Sequence, residues 1–290
     1  MSRRARILSL MLAAVLTFGA AATAGAVAVQ AFLRAPIGSD GVTTILLLGS
    51  DSGPMRNSDP MRGRADAFHA LVVSKDGRHA TFLNFPRDSY VNVPGMGRTK
   101  LNACLVNGPD NCVRAVEQNF DLDVDHWVLT DFRGLMAAVN RLGGIVVDVP
   151  QRLTDGGEDI DPGKQRLNGP KALTWTRDRK HRPNGDFTRS EAQAELLQVA
   201  HAQLLDEGLS VRRIAELVGI LRQTTVTDAS PETILKLAYL AATLSPENVD
   251  NVTMPGSAGW AGKASVVFLK QEADNLIGDV AVDGIVGSLD

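Results

Sequence analysis

Hydrophobic and polar positions are laid out in blocks along this chain, and the period of the blocks changes. Residues 44–48 form a continuous apolar run closed by glycine, the pattern of a strand buried on both faces. Residues 67–74 and 80–85 are two further runs, and Lys75-Asp76-Gly77-Arg78 between them has the chemistry of a turn, so they read as paired strands. The pattern then predicts a helix over 112–120, a strand over 126–130, a helix over 132–142 and a strand over 145–149, with Gly143-Gly144 as the helix stop. This alternation is that of an α/β domain with helices packed on a central sheet. Ligands of such sheets gather at the strand ends.

Further along, Asn168 is an N-cap for a helix that fades near Trp175, because Pro183 and Gly185 lie shortly ahead. Arg177 and Arg179 would diverge by about 200° on a helix and share a side in an extended segment, so joint grip on one ligand predicts extended chain there. Thr188 with Glu191 makes a capping-box pattern for the next helix. Arg189 and Gln193 head a helical stripe continued by Leu196, Leu197, Ala200 and Leu204, and polar groups on an inward stripe need a ligand or a buried partner. Residues 211–221 and 232–244 read as helices, 249–254 and 265–268 as short strands, and 270–290 contains a last helix. No long linker interrupts residues 42–290, which are expected to form one domain.

The N-terminus changes the picture. A basic stub, Ser2-Arg3-Arg4-Ala5-Arg6, precedes residues 7–33, which carry no charge and are long enough to cross a bilayer core needing about 20 residues. Residues 1–34 therefore read as a cytoplasmic stub and a single transmembrane helix, 35–41 as a linker, and the positive-inside rule places the domain outside the cell membrane. A cleaved signal peptide is the other reading, since Ala22-Thr23-Ala24 and Ala26-Val27-Ala28 are small-residue cleavage patterns. Either delivers the domain to the outer face. There, Cys104 and Cys112, the chain's two cysteines, are expected to form a disulfide in an oxidising compartment.

Composition limits the partners. With 290 residues, 44% of them hydrophobic, the chain can bury one sizeable core, and a net charge of -3 argues against nucleic acid as a partner. The arginines are local tools. They cluster with aspartates in short islands: Gly49-Ser50-Asp51-Ser52, Arg64-Ala65-Asp66, Pro86-Arg87-Asp88, Arg177-Asp178-Arg179 and Gly185-Asp186-Phe187-Thr188-Arg189. Arginine pairs bidentately with phosphate, and carboxylates are hard ligands for Mg²⁺ or a similar cation such as Mn²⁺. The islands together read as a site for a phosphorylated substrate and a metal. Lys100 is a further phosphate contact or a solvated loop lysine. The five histidines lack metal-ligand spacing, so structural or surface roles lead for them. No Walker A loop and no Gly-x-Ser-x-Gly elbow is present, which leaves nucleotide hydrolysis and serine-esterase chemistry without support.

In their order these islands, with Thr99-Lys100-Leu101-Asn102-Ala103, Asp131-Phe132, Leu142-Gly143-Gly144-Ile145 and Gly163-Lys164-Gln165-Arg166-Leu167-Asn168-Gly169, resemble the LytR-CpsA-Psr family over roughly residues 42–205. The resemblance implies an α-β-α sandwich around a mixed sheet, with an apolar pocket for a prenyl chain. It implies a membrane-anchored, Mg²⁺-assisted phosphotransferase that moves a glycopolymer from a polyprenyl-pyrophosphate carrier to peptidoglycan, at the C6 hydroxyl of N-acetylmuramic acid. Carried over by motif, Asp51 and Asp66 match the metal ligands with Arg64 beside them. Arg87, Arg177, Arg179 and Arg189 match the pyrophosphate-contacting arginines, and Gln193 the family's glutamine. Asp88 is a candidate base, but a carboxylate among arginines is better suited to orienting them. The chain departs from the pattern at Ala67, commonly threonine, at Ala192, often arginine, and over residues 102–109. Two other functions share or border this reading: a polyprenyl-pyrophosphate hydrolase using the same residues, and a non-catalytic anchored module that binds wall polymer.

Overall fold

A computed structural model describes residues 33, 37–38, 41–52, 63–155, 157–178, 181 and 186–287. The apolar stretch over 7–32 and Arg179 lie outside the described residues. No helix among the described residues is long and apolar enough to cross a membrane. The chain divides into Met1–Ala35 and a compact unit, Pro36–Asp290, which holds the fold described below.

The unit opens with β1 (Thr43–Ser50), β2 (Ala65–Val73) and β3 (Ala80–Asn84), followed by a small hairpin of β4 (Tyr90–Val93) and β5 (Gly97–Lys100). Helix α1 (Pro109–Phe120) starts on a proline, whose missing N–H costs nothing in a first turn, and stops at Asp121 in the left-handed region. Then come β6 (His126–Asp131), α2 (Phe132–Arg141), β7 (Ile145–Val149), β8 (Gly163–Leu167), α3 (Gly169–Arg177) and the long α4 (Asp186–Asp206). The chain closes through α5 (Val211–Thr224), β9 (Thr225–Thr227), α6 (Pro231–Thr243), β10 (Val249–Thr253), β11 (Gly256–Ala261), β12 (Ala264–Leu269) and α7 (Gln271–Asp283).

The main sheet has the order β10-β3-β2-β1-β6-β9 and is mixed: β1 runs parallel to β6 and β3 to β10, while β2 is antiparallel to both of its neighbours. That topology brings the carboxyl ends of β1, β3, β6 and β10 and the start of β2 to a single edge. Period-two alternation sends successive residues to opposite faces. Leu46, Leu48, Phe68, Ala70, Val72, Leu83 and Phe85 pack on α1 and α7 in the main core. The opposite face, with Ile45, Leu47, Leu71 and Phe82, looks into a cavity of about 850 Å³ roofed by α2, α4, α5 and α6. One face of the sheet is solid and the other hollow.

The mixed α/β architecture expected from the alternating pattern is present, with three adjustments. Strand β7 pairs only with β8, in a separate ribbon, because the polar run Gly163–Leu167 supplies its partner away from the sheet. Thr188 is not an N-cap: α4 already begins at Asp186, so the capping-box pattern falls inside the first turn. Helix α3 runs through Arg177, and extended backbone starts only at Asp178 (φ −61°, ψ 131°).

Cys104 and Cys112 are joined in a disulfide, both fully buried, with Cα atoms 4.9 Å apart. The link ties the 3₁₀ turn Leu101–Asn107 to α1 under the sheet's solid face. Closing so short a loop should stabilise by about 2.5 kcal/mol. Reduction, or a paired Cys104→Ala and Cys112→Ala substitution, is expected to lower the urea-unfolding free energy by about that amount; an unchanged midpoint would show that the loop is equally restricted without the bond.

Candidate active site at the sheet edge

Strands β1 and β2 lose register at their shared end. Gly49 opposes Ala67 and Ser50 opposes Ala65, which leaves Asp66 as the extra residue of a β-bulge. A bulge re-aims the side chain it carries. Asp66 lines the open end of the cavity, and its Oδ1 forms an ion pair with Nη1 of Arg87, just beyond β3. Gly49 is required there, since a Cβ on it would lie 2.8 Å from that of Ala67. Asp51 follows β1 directly. Its N–H donates to the Arg64 carbonyl (2.9 Å) and its Oδ1 accepts from the Arg64 N–H (2.8 Å), so the two residues are tied to each other.

The opposite wall comes from α3 and α4. Trp175 is buried and its indole N–H donates to the Ala192 carbonyl at 3.1 Å, which ties the helix ending in Arg177 to the helix carrying Arg189 and Gln193. Ala192, 1% exposed, leaves room for that indole. Arg189 and Gln193 are both buried; Arg189 Nη2 and Gln193 Nε2 each point at the Asp66 carbonyl (3.5 Å), and Gln193 Nε2 also donates to the Thr176 carbonyl (3.0 Å). Arg177 is exposed at the mouth with its guanidinium 5.0 Å from the Phe132 ring centroid. Asp131 caps α2 through Gly134 N–H (2.7 Å) and lines the same end.

The structure thus gathers Asp66, Arg87, Arg177, Arg189 and Gln193 around one opening. Asp88 and Lys100 stand aside from it. They form an ion pair at 3.0 Å, with Asn102 Nδ2 at 3.5 Å and Arg87 Nε at 3.8 Å from Asp88 Oδ1. Asp88 thus sits between Arg87 and Lys100. The Arg64 side chain is exposed and does not line the cavity; its backbone holds Asp51.

No group of three or more His, Cys, Asp or Glu that could hold a metal occurs among the described residues. Asp51, just past β1, and Asp66, in the neighbouring β2, stand at one edge and have the donor chemistry for Mg²⁺, which binds through one or two carboxylates and completes its shell with water and substrate phosphate.

Among the histidines, read as structural or surface groups, His69 is a buried one. It lies in β2 on the cavity side, 2% exposed, with Nδ1 2.7 Å from Asn84 Oδ1. Burial, with a smaller push from Arg189, lowers its pKa to about 4 against the bonds that would raise it. The available signal was an imidazole at an inward position of an apolar strand. A second pairing joins buried Asp178 to His181 Nδ1 at 2.7 Å.

The model of the LytR_cpsA_psr family matches residues 21–278. The chain belongs to this family. A relative from Oceanobacillus iheyensis, named polyisoprenyl-teichoic acid–peptidoglycan teichoic acid transferase TagU, is 32% identical over 191 residues, covering 63% of this chain and 58% of the relative. The matched stretch spans less than two thirds of the length of such curated LytR_cpsA_psr relatives. In fold, the unit is similar to protein gbs0355 from Streptococcus agalactiae (TM-score 0.74, 22% identity, 87% of this chain and 91% of that one). It is also similar to TagT bound to LIIa-WTA (TM-score 0.68, 24% identity, 84% and 91%).

A histidine held neutral in the fold opposes folding as the unfolded chain takes up protons. Stability contributed by neutral His69 is complete above its unfolded pKa near 6.5 and is lost as pH falls toward about 4. Between pH 8 and pH 5, wild type should lose about 2 kcal/mol more unfolding free energy than His69→Asn. Equal losses in urea titrations would mean that His69 is solvated in the native state.

Proposed function

We propose that this protein transfers a glycopolymer from a polyprenyl-pyrophosphate carrier to peptidoglycan, forming a phosphodiester at the N-acetylmuramic acid C6 hydroxyl. The observation that carries this reading is the lining of the cavity: largely apolar walls with Asp66, Arg87, Arg177, Arg189 and Gln193 among them at the sheet edge. Such a cavity suits an amphiphile with an anionic head. The names of the relatives, transferases of polyisoprenyl-linked teichoic acid to peptidoglycan, agree with it. Residues 7–33 are proposed to anchor the chain in the cell membrane with the domain outside, where the carrier lipid is met.

In this reading the prenyl chain lies along Ile45, Leu47, Leu71 and Phe82, and the pyrophosphate rests at the mouth. Phosphoryl transfer demands alignment and charge neutralisation more than covalent help. Arg177 and Arg87 supply guanidinium forks to the equatorial oxygens, with Arg179 as a further one from motif position. Arg87 would exchange its Asp66 partner for the ligand, with Asp88 holding its other side. Asp51 and Asp66 would hold Mg²⁺, or Mn²⁺, whose charge would neutralise pyrophosphate oxygens. The acceptor hydroxyl attacks the glycan-side phosphorus, the bond to the bridging oxygen breaks, and prenyl phosphate leaves.

Full chain incubated with lipid-pyrophosphate glycan and a peptidoglycan oligomer is expected to give the phosphodiester product. Release of prenyl phosphate without product would mark a hydrolase, and retention of the lipid intact would mark a binding module. Arg177→Ala, at an exposed position, should lower transfer by about 10²-fold with unchanged thermal unfolding, and lysine should restore only part of it. Asp51→Asn and Asp66→Asn should each shift the Mg²⁺ midpoint of transfer upward. Wild-type activity in chelator would remove the metal from the reaction.

A further inference from the structure

Inside the mouth, strand β2 presents Ala67, His69, Leu71 and Val73 to the cavity in turn. His69 is therefore the polar residue that stands between the charged opening and the apolar interior. Its tautomer is set by neighbours. Asn84 Nδ2 donates to Asn251 Oδ1 and lies 3.4 Å from Thr253 Oγ1, so Asn84 Oδ1 is the acceptor and His69 Nδ1 carries the hydrogen. The lone pair is then on Nε2, which is buried against the Gln193 side chain and receives no hydrogen there. Gln193 is oriented in the same way by its two carbonyl acceptors, and its Oε1 is also buried without a partner. Two buried acceptors at the polar end of one cavity are unsatisfied, and a buried unpaired acceptor is costly. Both would be served by a single proton placed on Nε2.

In the ligand-free site that proton is opposed by burial and by Arg189 on α4. Of the charged groups lining this end, Arg87 and Arg177 are cationic and Asp66, Asp131 and Asp155 anionic, while His201 lies along the same lining on α4. A pyrophosphate would add negative charge beside His69 and favour the imidazolium.

We propose that His69 is a proton-linked positioning residue for the pyrophosphate: on ligand entry Nε2 takes one proton from solvent and donates it to Gln193 Oε1, which sets a positive charge behind the polar end of the cavity beside the prenyl-side phosphate. The inference rests on the amphiphile reading of the cavity. Its charge exists only when the site is filled, so an empty apolar cavity is not burdened with a buried cation. Imidazole in place of another arginine also makes grip on the lipid depend on pH.

The test is calorimetric titration of the full chain in detergent with farnesyl pyrophosphate, in buffers of different ionisation enthalpy, for wild type and His69→Asn. Asparagine keeps a donor for Asn84 Oδ1 and cannot titrate. Wild type is expected to take up more protons per ligand than the variant, the difference approaching one as pH falls toward 6, and to bind about 10-fold or more tighter. Equal proton uptake overturns the proposal. Imidazole ¹⁵N spectra of wild type with and without ligand report the same protonation with no substitution, and an Nε2 that stays unprotonated in the complex also overturns it. If wild type binds no farnesyl pyrophosphate, the amphiphile reading itself fails, and this inference with it.

Discussion

A sheet that must leave one face unfilled constrains everything else in this protein. Close packing is the usual state of an interior, and an apolar void of about 850 Å³ forgoes contacts on all its walls. Stability has to come from the opposite face, where Leu46, Phe68, Leu83 and Phe85 meet α1 and α7 without a gap and the disulfide fixes the turn beneath. The helices over the hollow are correspondingly thin in burial: α6 has no buried residue despite its apolar sequence. Leu197, Leu221 and Leu235 remain 38%, 44% and 48% exposed.

The same division places the chemistry. Because β2 runs against β1 and β3, its first residues arrive where theirs end, and the bulge turns Asp66 into the opening. Facing it, the Trp175–Ala192 bond couples two successive helices and so holds the end that carries Arg177 against the start that carries Arg189. Asp66 is shared: its carboxylate pairs with Arg87, and its carbonyl meets Arg189 and Gln193. An incoming anion and cation would compete with bonds that already exist, so loading is an exchange of partners instead of the filling of vacant ones.

Much of this was legible in the sequence where pattern and burial agree. Strands β1, β2, β3 and β6 and helices α1 and α2 follow from their apolar runs because those runs are the segments packed inside, β3 along its whole length. Strands β5 and β8 were not legible, since Gly-Arg-Thr-Lys and Gly-Lys-Gln-Arg-Leu are polar ribbons held by a partner strand and not by a core. The start of α4 was misplaced because a capping pattern is local and cannot report that the helix already exists upstream. Motif order pointed to Asp66, Arg87, Arg177, Arg189 and Gln193 as one site, and they do converge. It also pointed to Arg64, whose side chain is exposed and whose backbone alone reaches Asp51. His69 stayed hidden because one imidazole in an apolar run carries no spacing; only its unsatisfied nitrogen in the folded cavity marks it.

The hollow face has a mechanical consequence. Unfolding releases internal void volume, so hydrostatic pressure favours the unfolded chain in proportion to the space left empty. A chain-like ligand bound there, as proposed, would fill that space and stiffen the protein. Occupancy is written into its volume as well as its chemistry, and the roof helices α5 and α6, with the least buried surface, are where the difference in rigidity would be concentrated.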